Sequence, residues 1–364
     1  MTAWPRILRR GVPTGTENRK QKKNKEKEAY EVASQWQLMW WKFRKHKLAM
    51  ISVPVLLILY LIAIFCEFVS PTLPAERFTA YKNAPPQRIH FFDEETGFSF
   101  RPFVYDLKQE IDKETFLRTY VEDKSKKYPI YFFVKGEPYK FWGLFETNIH
   151  LFGTKDPKDP LFLMGTDELG RDLFTRIMYG ARISLSFGLL GIVFTLILGL
   201  LLGGLSGYLG GVTDTIIQRL IDLLLCIPTI PLWMALGAAL PRDWSTEQIY
   251  FGMILIFSII GWTGLARVVR GKILALREED FTMAARLAGA SDMRIIRKHL
   301  LPSFASYIIV STTLSIPGTI LGETSLSFLG LGLQPPVVSW GVLLQDAQNL
   351  ETLAHHPWLL WPAA

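Results

Sequence analysis

Residues 266–273, ARVVRGKI, are the nearest approach in this chain to a phosphate-binding loop. Such a loop follows the pattern G-x-x-x-x-G-K-[ST], in which backbone groups cradle the phosphates and the hydroxyl holds Mg²⁺. Gly271 and Lys272 fit the pattern, but Ala266 occupies the first glycine position and Ile273 the hydroxyl position. The sequence therefore predicts no nucleotide site in this chain.

Cysteine, histidine and carboxylate patterns do not predict catalysis either. The two cysteines, Cys66 and Cys226, lie in apolar runs, which excludes a disulfide framework and a cysteine-rich metal site. Residues 71–163 are rich in aromatics and prolines, but no His, Ser or carboxylate set converges in their sequence. We therefore expect no enzymatic activity, metal or cofactor in this chain.

Charge is distributed very unevenly along the chain. Residues 1–48 hold thirteen Lys/Arg and four Asp/Glu, whereas residues 183–266 hold six charges in 84 positions. Because a bilayer-crossing helix needs about 20 apolar residues, the sequence predicts a polytopic membrane protein with five spans, at 48–70, 183–205, 216–240, 249–266 and 304–321. The third span contains Pro228 and Pro231, so we expect it to lie inside the bundle, where neighbouring helices satisfy the freed backbone groups.

The centres of these five spans contain no ionisable residue, which argues against a carrier driven by an ion gradient. Arg219 and Asp222 lie near a span end, three positions apart, and are expected to pair with each other. A transport protein without a nucleotide site or a driving-ion site would have to take its energy from a partner.

Lys and Arg near the span ends predict the orientation, because positively charged loops stay in the cytoplasm. The basic N-terminus and the loop 267–302, which holds eight Lys/Arg, are expected inside. Residues 71–182 are then expected outside.

The segment before the first span has two parts. Residues 1–29 include ENRKQKKNKEKE and predict a disordered basic tail, with no nucleic-acid role favoured. Residues 30–47 place Trp36, Met39, Trp40 and Phe43 on one helical face, which predicts an amphipathic helix at the membrane interface. A soluble helix that packs on a partner is the alternative.

Residues 71–163 predict a small extracytoplasmic domain inserted between the first two spans, and we expect its residues 76–163 to form a folded cap. We expect a strand at 130–134, a short helix at 112–122 and a turn at 136–138.

The basic loop 267–302 has the signals of two short helices. Asp280 is a candidate cap for the first helix, and Gly289 is placed to end it in a left-handed conformation. Ser291 is a candidate cap for the second helix, which Pro302 is expected to end.

This loop, MAARLAGASDMRIIRKHLLP from Met283, resembles the E-A-A-x-x-x-G-x9-L-P loop of permease subunits of bacterial ABC importers. Three further stretches look like the second, C-type permease of the oligopeptide and dipeptide importers: WWKFRKHKLAM, GTDELGRDLFTRIMYGARISL and SLSFLGLGLQPPVVSWG. The resemblance covers about residues 36–75 and 162–360.

The resemblance implies an all-α fold, the type I ABC importer permease bundle, in a bacterial inner membrane, with a core at 164–364. It also implies a second homologous permease, two ATP-binding subunits that hold ATP and Mg²⁺, an extracytoplasmic solute-binding protein and a peptide substrate. Carried over by position, the ATPase-coupling residues are Met283, Ala284, Ala285, Gly289, Leu301 and Pro302. Met283 stands where the motif often has Glu.

Two departures from the family accompany this resemblance. The outer segment is longer than usual, and no sixth span follows HHPWLLWPAA, so we expect a truncated form of a six-helix protein. The alternative function is a membrane-anchored receptor or scaffold with an extracytoplasmic domain, although an anchor would not need prolines in a span or a charged two-helix loop.

Overall fold

The computed structural model describes residues 35–93, 97–111, 118–241, 243–348 and 350–364. The chain divides into two units, residues 1–59 and 60–364. In the first, helix α1 (Gln35–Lys45) stacks Trp40 on Phe43 with ring centroids 5.8 Å apart. Helix α2 (Lys47–Ile64) follows and crosses the boundary between the units. The predicted tail at 1–29 and the start of the predicted amphipathic helix at 30–34 lie outside the described residues.

The second unit begins with the end of α2 and a short helix, α3 (Cys66–Val69), and then contains two antiparallel β-structures. The first is a sheet of β1 (His90–Asp93), β2 (Gly97–Ile111) and β3 (Arg118–Pro129), in that order. The second is a hairpin of β4 (Tyr131–Phe141) and β5 (Phe145–Gly153). The expectation of an all-α fold is therefore wrong for the inserted segment.

The local predictions in this segment have mixed outcomes. The strand at 130–134 is confirmed, since β4 begins at Tyr131. The helix at 112–122 is wrong at 118–122, which belong to β3, because Tyr120 and Val121 pair across the sheet with Gln109 and Lys108.

The turn predicted at 136–138 is also wrong, because β4 continues through it with an irregular register. Gly136 serves close packing instead, since an added Cβ would lie 2.5 Å from the ring of His150. The chain turns at 142–144, where the N–H of Leu144 donates to the carbonyl of Phe141 over 2.9 Å.

The helical bundle is formed by α4 (Leu173–Leu209), α5 (Gly211–Cys226), α6 (Thr229–Ala238) and α7 (Thr246–Leu276), and by helices later in the chain. Those later helices are α8 (Asp280–Leu287), α9 (Asp292–Ile295), α10 (Leu301–Ser303), α11 (Ala305–Phe328), α12 (Trp340–Leu344) and α13 (Leu350–His355). Among the described residues, α2, α4, α7 and α11 are long and apolar enough to cross a membrane, and the pair α5 and α6 makes a fifth if it counts as one span.

The predicted span at 216–240 is not one straight helix. Helices α5 and α6 meet at 89° around Ile227 and Pro228. Pro228 has no N–H to continue the ladder of hydrogen bonds, and the residue before a proline avoids the helical region. Ile227 has extended dihedrals accordingly.

Helices α4 and α7 pack closely because glycines recur every four residues on α4. A Cβ at Gly203 would lie 2.6 Å from the carbonyl oxygen of Ala266, and one at Gly207 would lie 2.8 Å from that of Arg270. Small residues at this spacing let two membrane helices approach with their backbones nearly in contact. This pair is the central packing contact of the bundle.

Two charged residues of the bundle make contacts that the sequence analysis did not predict. The predicted pair of Arg219 and Asp222 is present at 3.9 Å, and Asp222 forms a closer second ion pair with Arg267 of α7. Glu323 lies within α11, buried, two residues beyond the predicted end of that span. The helix is longer than its uncharged stretch because serine hydroxyls satisfy this carboxyl group inside the protein.

Candidate functional site

The candidate site is the loop between α7 and α11. It contains α8, α9, a π-helical turn (Ile296–Leu300) and α10. Glu279, not Asp280, is the residue that precedes the first helix, and Ser291 precedes the second without a capping bond from its side chain. Pro302 lies inside α10 rather than ending the helix, because the π-helical turn carries the chain on to Ser303. The predicted arrangement of two helices is otherwise confirmed.

Gly289 ends the first helix with a φ of 79°, in the left-handed region. The N–H of Ala290 reaches back to the carbonyl of Ala285 over 3.1 Å, and that of Ala288 to Ala284 over 3.0 Å. This pattern closes a helix with a left-handed residue, which glycine adopts without a steric penalty. The prediction for the backbone at Gly289 is confirmed.

Two of the six predicted coupling residues face the bundle. Ala285 and Leu301 pack against a buried cluster that includes Tyr208, Ile273 and Ile296. They connect the loop to helices α4 and α7, so a displacement of the loop would act directly on those helices.

Two polar contacts, which the sequence analysis missed, also hold the loop against the ends of α7 and α4. Thr282 is buried, and its hydroxyl donates to the carbonyl of Leu276 over 2.9 Å. Arg286 lies 5.6 Å from the ring centre of Tyr208 and donates to its hydroxyl over 3.2 Å. This hydrogen bond raises the pKa of Arg286. In the sequence, neither the type nor the position of Thr282 and Arg286 distinguishes them from ordinary surface residues.

The other four predicted residues, Met283, Ala284, Gly289 and Pro302, are exposed. Next to them lie three exposed apolar side chains that the sequence analysis did not select, Phe281, Leu287 and Met293. Together with Met283 we call these residues the exposed apolar face. Leu287 is 87% exposed. Apolar side chains grouped on a protruding basic loop are typical of a protein-binding surface.

A second polar centre lies at the other end of α11. Glu323 accepts hydrogen bonds from Ser327 over 2.8 Å, Ser339 over 2.9 Å and Ser184 over 3.4 Å. The hydroxyl of Ser327 also accepts from the N–H of Leu333 over 2.9 Å. Ser327 and Ser339, four and sixteen residues after Glu323, could have indicated this polar centre in the sequence. Ser184 could not, because only the tertiary fold brings it close to Glu323.

No three His, Cys, Asp or Glu side chains are grouped to hold a metal ion within the part of the chain that the structure describes.

Comparisons with known proteins give the family of this chain. The family described as binding-protein-dependent transport system inner membrane component matches residues 196–364. The family described as the N-terminal TM domain of oligopeptide transport permease C matches residues 34–86.

The individual relatives of this chain are also permease proteins of transport systems. The oligopeptide transport system permease protein of Bacillus subtilis is 38% identical over 215 residues, 59% of this chain and 68% of that relative. The dipeptide transport system permease protein of the same organism is 31% identical over 347 residues, 94% of this chain and 83% of that relative. A glutathione transport system permease protein of Escherichia coli is 42% identical over 192 residues, 53% of this chain and 61% of that relative.

Among solved structures, the inward-facing MetNI methionine ABC transporter covers 51% of this chain and 88% of its own matched chain. The sequence identity is 18% and the TM-score is 0.39.

Proposed function

On the premise that this chain belongs to the permease family of the oligopeptide and dipeptide ABC importers, we propose that it forms half of a peptide pathway and couples that pathway to cytoplasmic ATPases. The family is one of transport permeases embedded in the inner membrane, not of enzymes.

The observation that carries the proposal is the two-sided construction of the loop between α7 and α11. Its exposed apolar face presents Leu287 and Met293 to a partner, while Ala285 and Leu301 pack on the bundle. A force applied to the exposed apolar face would reach the bundle through the two short helices that join these groups. Met283, Ala284, Gly289 and Pro302 would lie at the contact with the ATPase.

Helix α11 supports the second half of the proposal. It is apolar enough to span the membrane, yet little of it is buried within this chain. Its exposed surface includes the hydroxyl residues Thr313 and Ser315 beside Leu314. A mixed surface of this kind fits a boundary shared by a second permease and a hydrated path better than contact with lipid alone.

The remaining partners follow from the same assignment. Two ATPases would bind ATP and Mg²⁺, and an extracytoplasmic binding protein would deliver the peptide. The loop 267–302 would face the cytoplasm because of its Lys/Arg content.

The test is uptake of a labelled peptide by proteoliposomes that contain the full complex. We expect Leu287→Gln to reduce ATPase binding and uptake together, because it removes apolar contact without adding charge. Leu287→Met is the matched control, since it keeps an apolar side chain of similar size. Full ATPase binding and uptake by Leu287→Gln would overturn the assignment of the exposed apolar face.

The scaffold alternative gives a different result in the same assay. A membrane-anchored receptor would bind solute without moving it, so ATP would not change the amount of peptide inside the vesicles. Accumulation that requires ATP on the side of the loop would exclude that alternative.

A further inference from the structure

A network of hydrogen bonds joins the end of α2 to α4. Between α2 and α3 the helix breaks at Phe65, which leaves carbonyl groups without helical partners. The guanidinium of Arg182 donates to the carbonyls of Ala63 and Ile64, each over 2.9 Å, and to Oε1 of Glu67 over 2.6 Å. We call Glu67 and Arg182 the junction pair.

The junction pair lies at the boundary of two membrane spans. Glu67 directly follows the uncharged stretch 49–66, and Arg182 directly precedes the uncharged stretch 183–205. A charged pair at the ends of two adjacent spans marks the level where hydrocarbon gives way to headgroups.

The β4–β5 hairpin reaches down to this level. The indole N–H of Trp142 donates to the carbonyl of Ile64 over 3.0 Å, and its backbone N–H donates to Glu67 over 3.3 Å. Arg182 lies 4.5 Å from the ring centre of Trp142, and Phe141 stacks on Phe65 with ring centroids 5.6 Å apart. These contacts fix the tip of the hairpin against the last turn of the first span.

The tip is apolar and uncovered. Between Lys140 and Glu146, which pair across the hairpin, the sequence is FWGLF. Trp142 is 53% exposed, Leu144 76% and Phe145 69%. The apolar tip, residues 141–145, thus projects beyond the charged pair Lys140 and Glu146 at the depth of the junction pair.

We propose that the apolar tip of the β4–β5 hairpin inserts into the interface of the outer lipid leaflet. The tip continues the exposed surface of Leu61, Ile64 and Phe65, which the bilayer covers because these residues lie at the end of a span. Aromatic rings are favoured at headgroup depth, where one edge is apolar and the other is wet. The charged pair Lys140 and Glu146 stays in the aqueous layer and limits the depth of insertion.

This proposal differs from a cap that only covers the pore entrance or contacts another subunit. It gives the inserted segment a third attachment to the membrane, in addition to its two chain ends. It does not depend on which solute is carried or on the ATPase contact.

The test measures depth by lipid quenching in the assembled complex. Leu144→Cys is prepared in a Cys226→Ser background, because Cys226 is exposed and Cys66 is buried, and is labelled with the fluorophore NBD. The complex is placed in nanodiscs of phosphatidylethanolamine and phosphatidylglycerol, with or without lipid that carries a nitroxide at headgroup level. We expect a blue-shifted emission and about a twofold loss of intensity with the nitroxide lipid, since interfacial side chains lie at that depth.

Val121→Cys is the matched control, an exposed apolar site in the same inserted segment. The hydroxyl of Tyr120, next to Val121, donates to the carbonyl of Lys82 over 2.7 Å. The backbone N–H of Asn83, which follows Lys82, donates to the carbonyl of Asp167, shortly before α4 begins. Arg182 lies nine residues into α4, about 13 Å further along the helix axis at 1.5 Å per residue. The label at Val121 should therefore keep its intensity with the nitroxide lipid.

Two results would overturn the proposal. Equal, weak quenching at both sites would place the apolar tip in water. A blue shift at Leu144 without quenching by the nitroxide lipid would show that another protein subunit covers the tip.

Discussion

The hydroxyl of Ser339 donates a 2.9 Å hydrogen bond to Oε1 of Glu323, and the same oxygen of Ser339 accepts the N–H of Val342 over 3.2 Å. Ser339 thus caps α12 and holds that helix against the end of α11. Ser339 and Ser327 thus help to hold the segment between α11 and α12 on the bundle, together with Trp340, whose indole N–H donates to the carbonyl of Ile177 over 3.2 Å.

We expect Ser339→Ala to loosen residues 329–345, because it removes both a helix cap and a partner of a buried carboxyl group. The cost should be about 1–2 kcal/mol of stability. Limited proteolysis and thermal unfolding of the complex in nanodiscs measure this effect. The control is Ser52→Ala, since Ser52 is exposed and its hydroxyl bonds only to a carbonyl of its own helix. Equal sensitivity of the two variants would contradict the role of Ser339.

Gly289→Val should uncouple ATP hydrolysis from uptake. No atom lies within 4 Å of an added Cβ at Gly289, so crowding is not the problem. The φ of 79° is the obstacle, because a β-branched residue pays at least about 1 kcal/mol in the left-handed region. Asparagine tolerates this conformation, so Gly289→Asn should keep most of the activity.

Uptake and ATP hydrolysis are measured together in proteoliposomes. Assembled Val complexes that bind ATP but do not import peptide agree with the prediction. Normal import by the Val variant would show that the bend at Gly289 is not needed for coupling.

Asp172, which caps α4, should make the stability of the start of that helix depend on pH. Burial raises the pKa of this carboxyl group from 3.8 to about 7, although the N–H of Thr175 donates to it over 2.9 Å. The folded protein therefore binds the proton more tightly than the unfolded chain, and the stabilisation is present in full below the unfolded pKa. It is lost as the pH rises through the folded pKa of about 7.

Asp172→Asn removes the titrating group and keeps an equally good helix cap. We expect the Tm of the wild-type protein to fall more between pH 5 and pH 8 than that of the variant. Identical pH profiles would show that Asp172 is ionised in both states.

The orientation is tested with Ser125→Cys and Ser291→Cys, both at exposed positions, in the Cys226→Ser background. A membrane-impermeant maleimide added to intact cells should label position 125 and leave position 291 unlabelled until the cells are opened. This follows from the Lys/Arg content of the loop 267–302. Labelling of both sites from outside would reject the topology.

Several features of this chain could be predicted from the sequence because they depend on local chemistry. The apolar stretches predict the spans without reference to other residues, since the bilayer itself is the environment that selects them. Gly289 is predicted as a helix terminator for the same reason, because its conformational freedom is a property of one residue. The loop 267–302 was selected as the candidate site because its own sequence resembles a loop of a known family.

Other features were decided only by contacts between residues far apart in sequence. Residues 118–122 form a strand because β2 lies beside them, and Asp222 pairs with Arg267 because α7 brings that guanidinium close. Glu323 is buried at acceptable cost because Ser184 of α4 and Ser339 converge on it. The apolar tip of the hairpin reaches the level of the first span through Trp142 and Arg182, a relationship that no local pattern contains. The physical reason is the same in each case: the partner that stabilises the group comes from another element, and only the tertiary fold sets the distance between them.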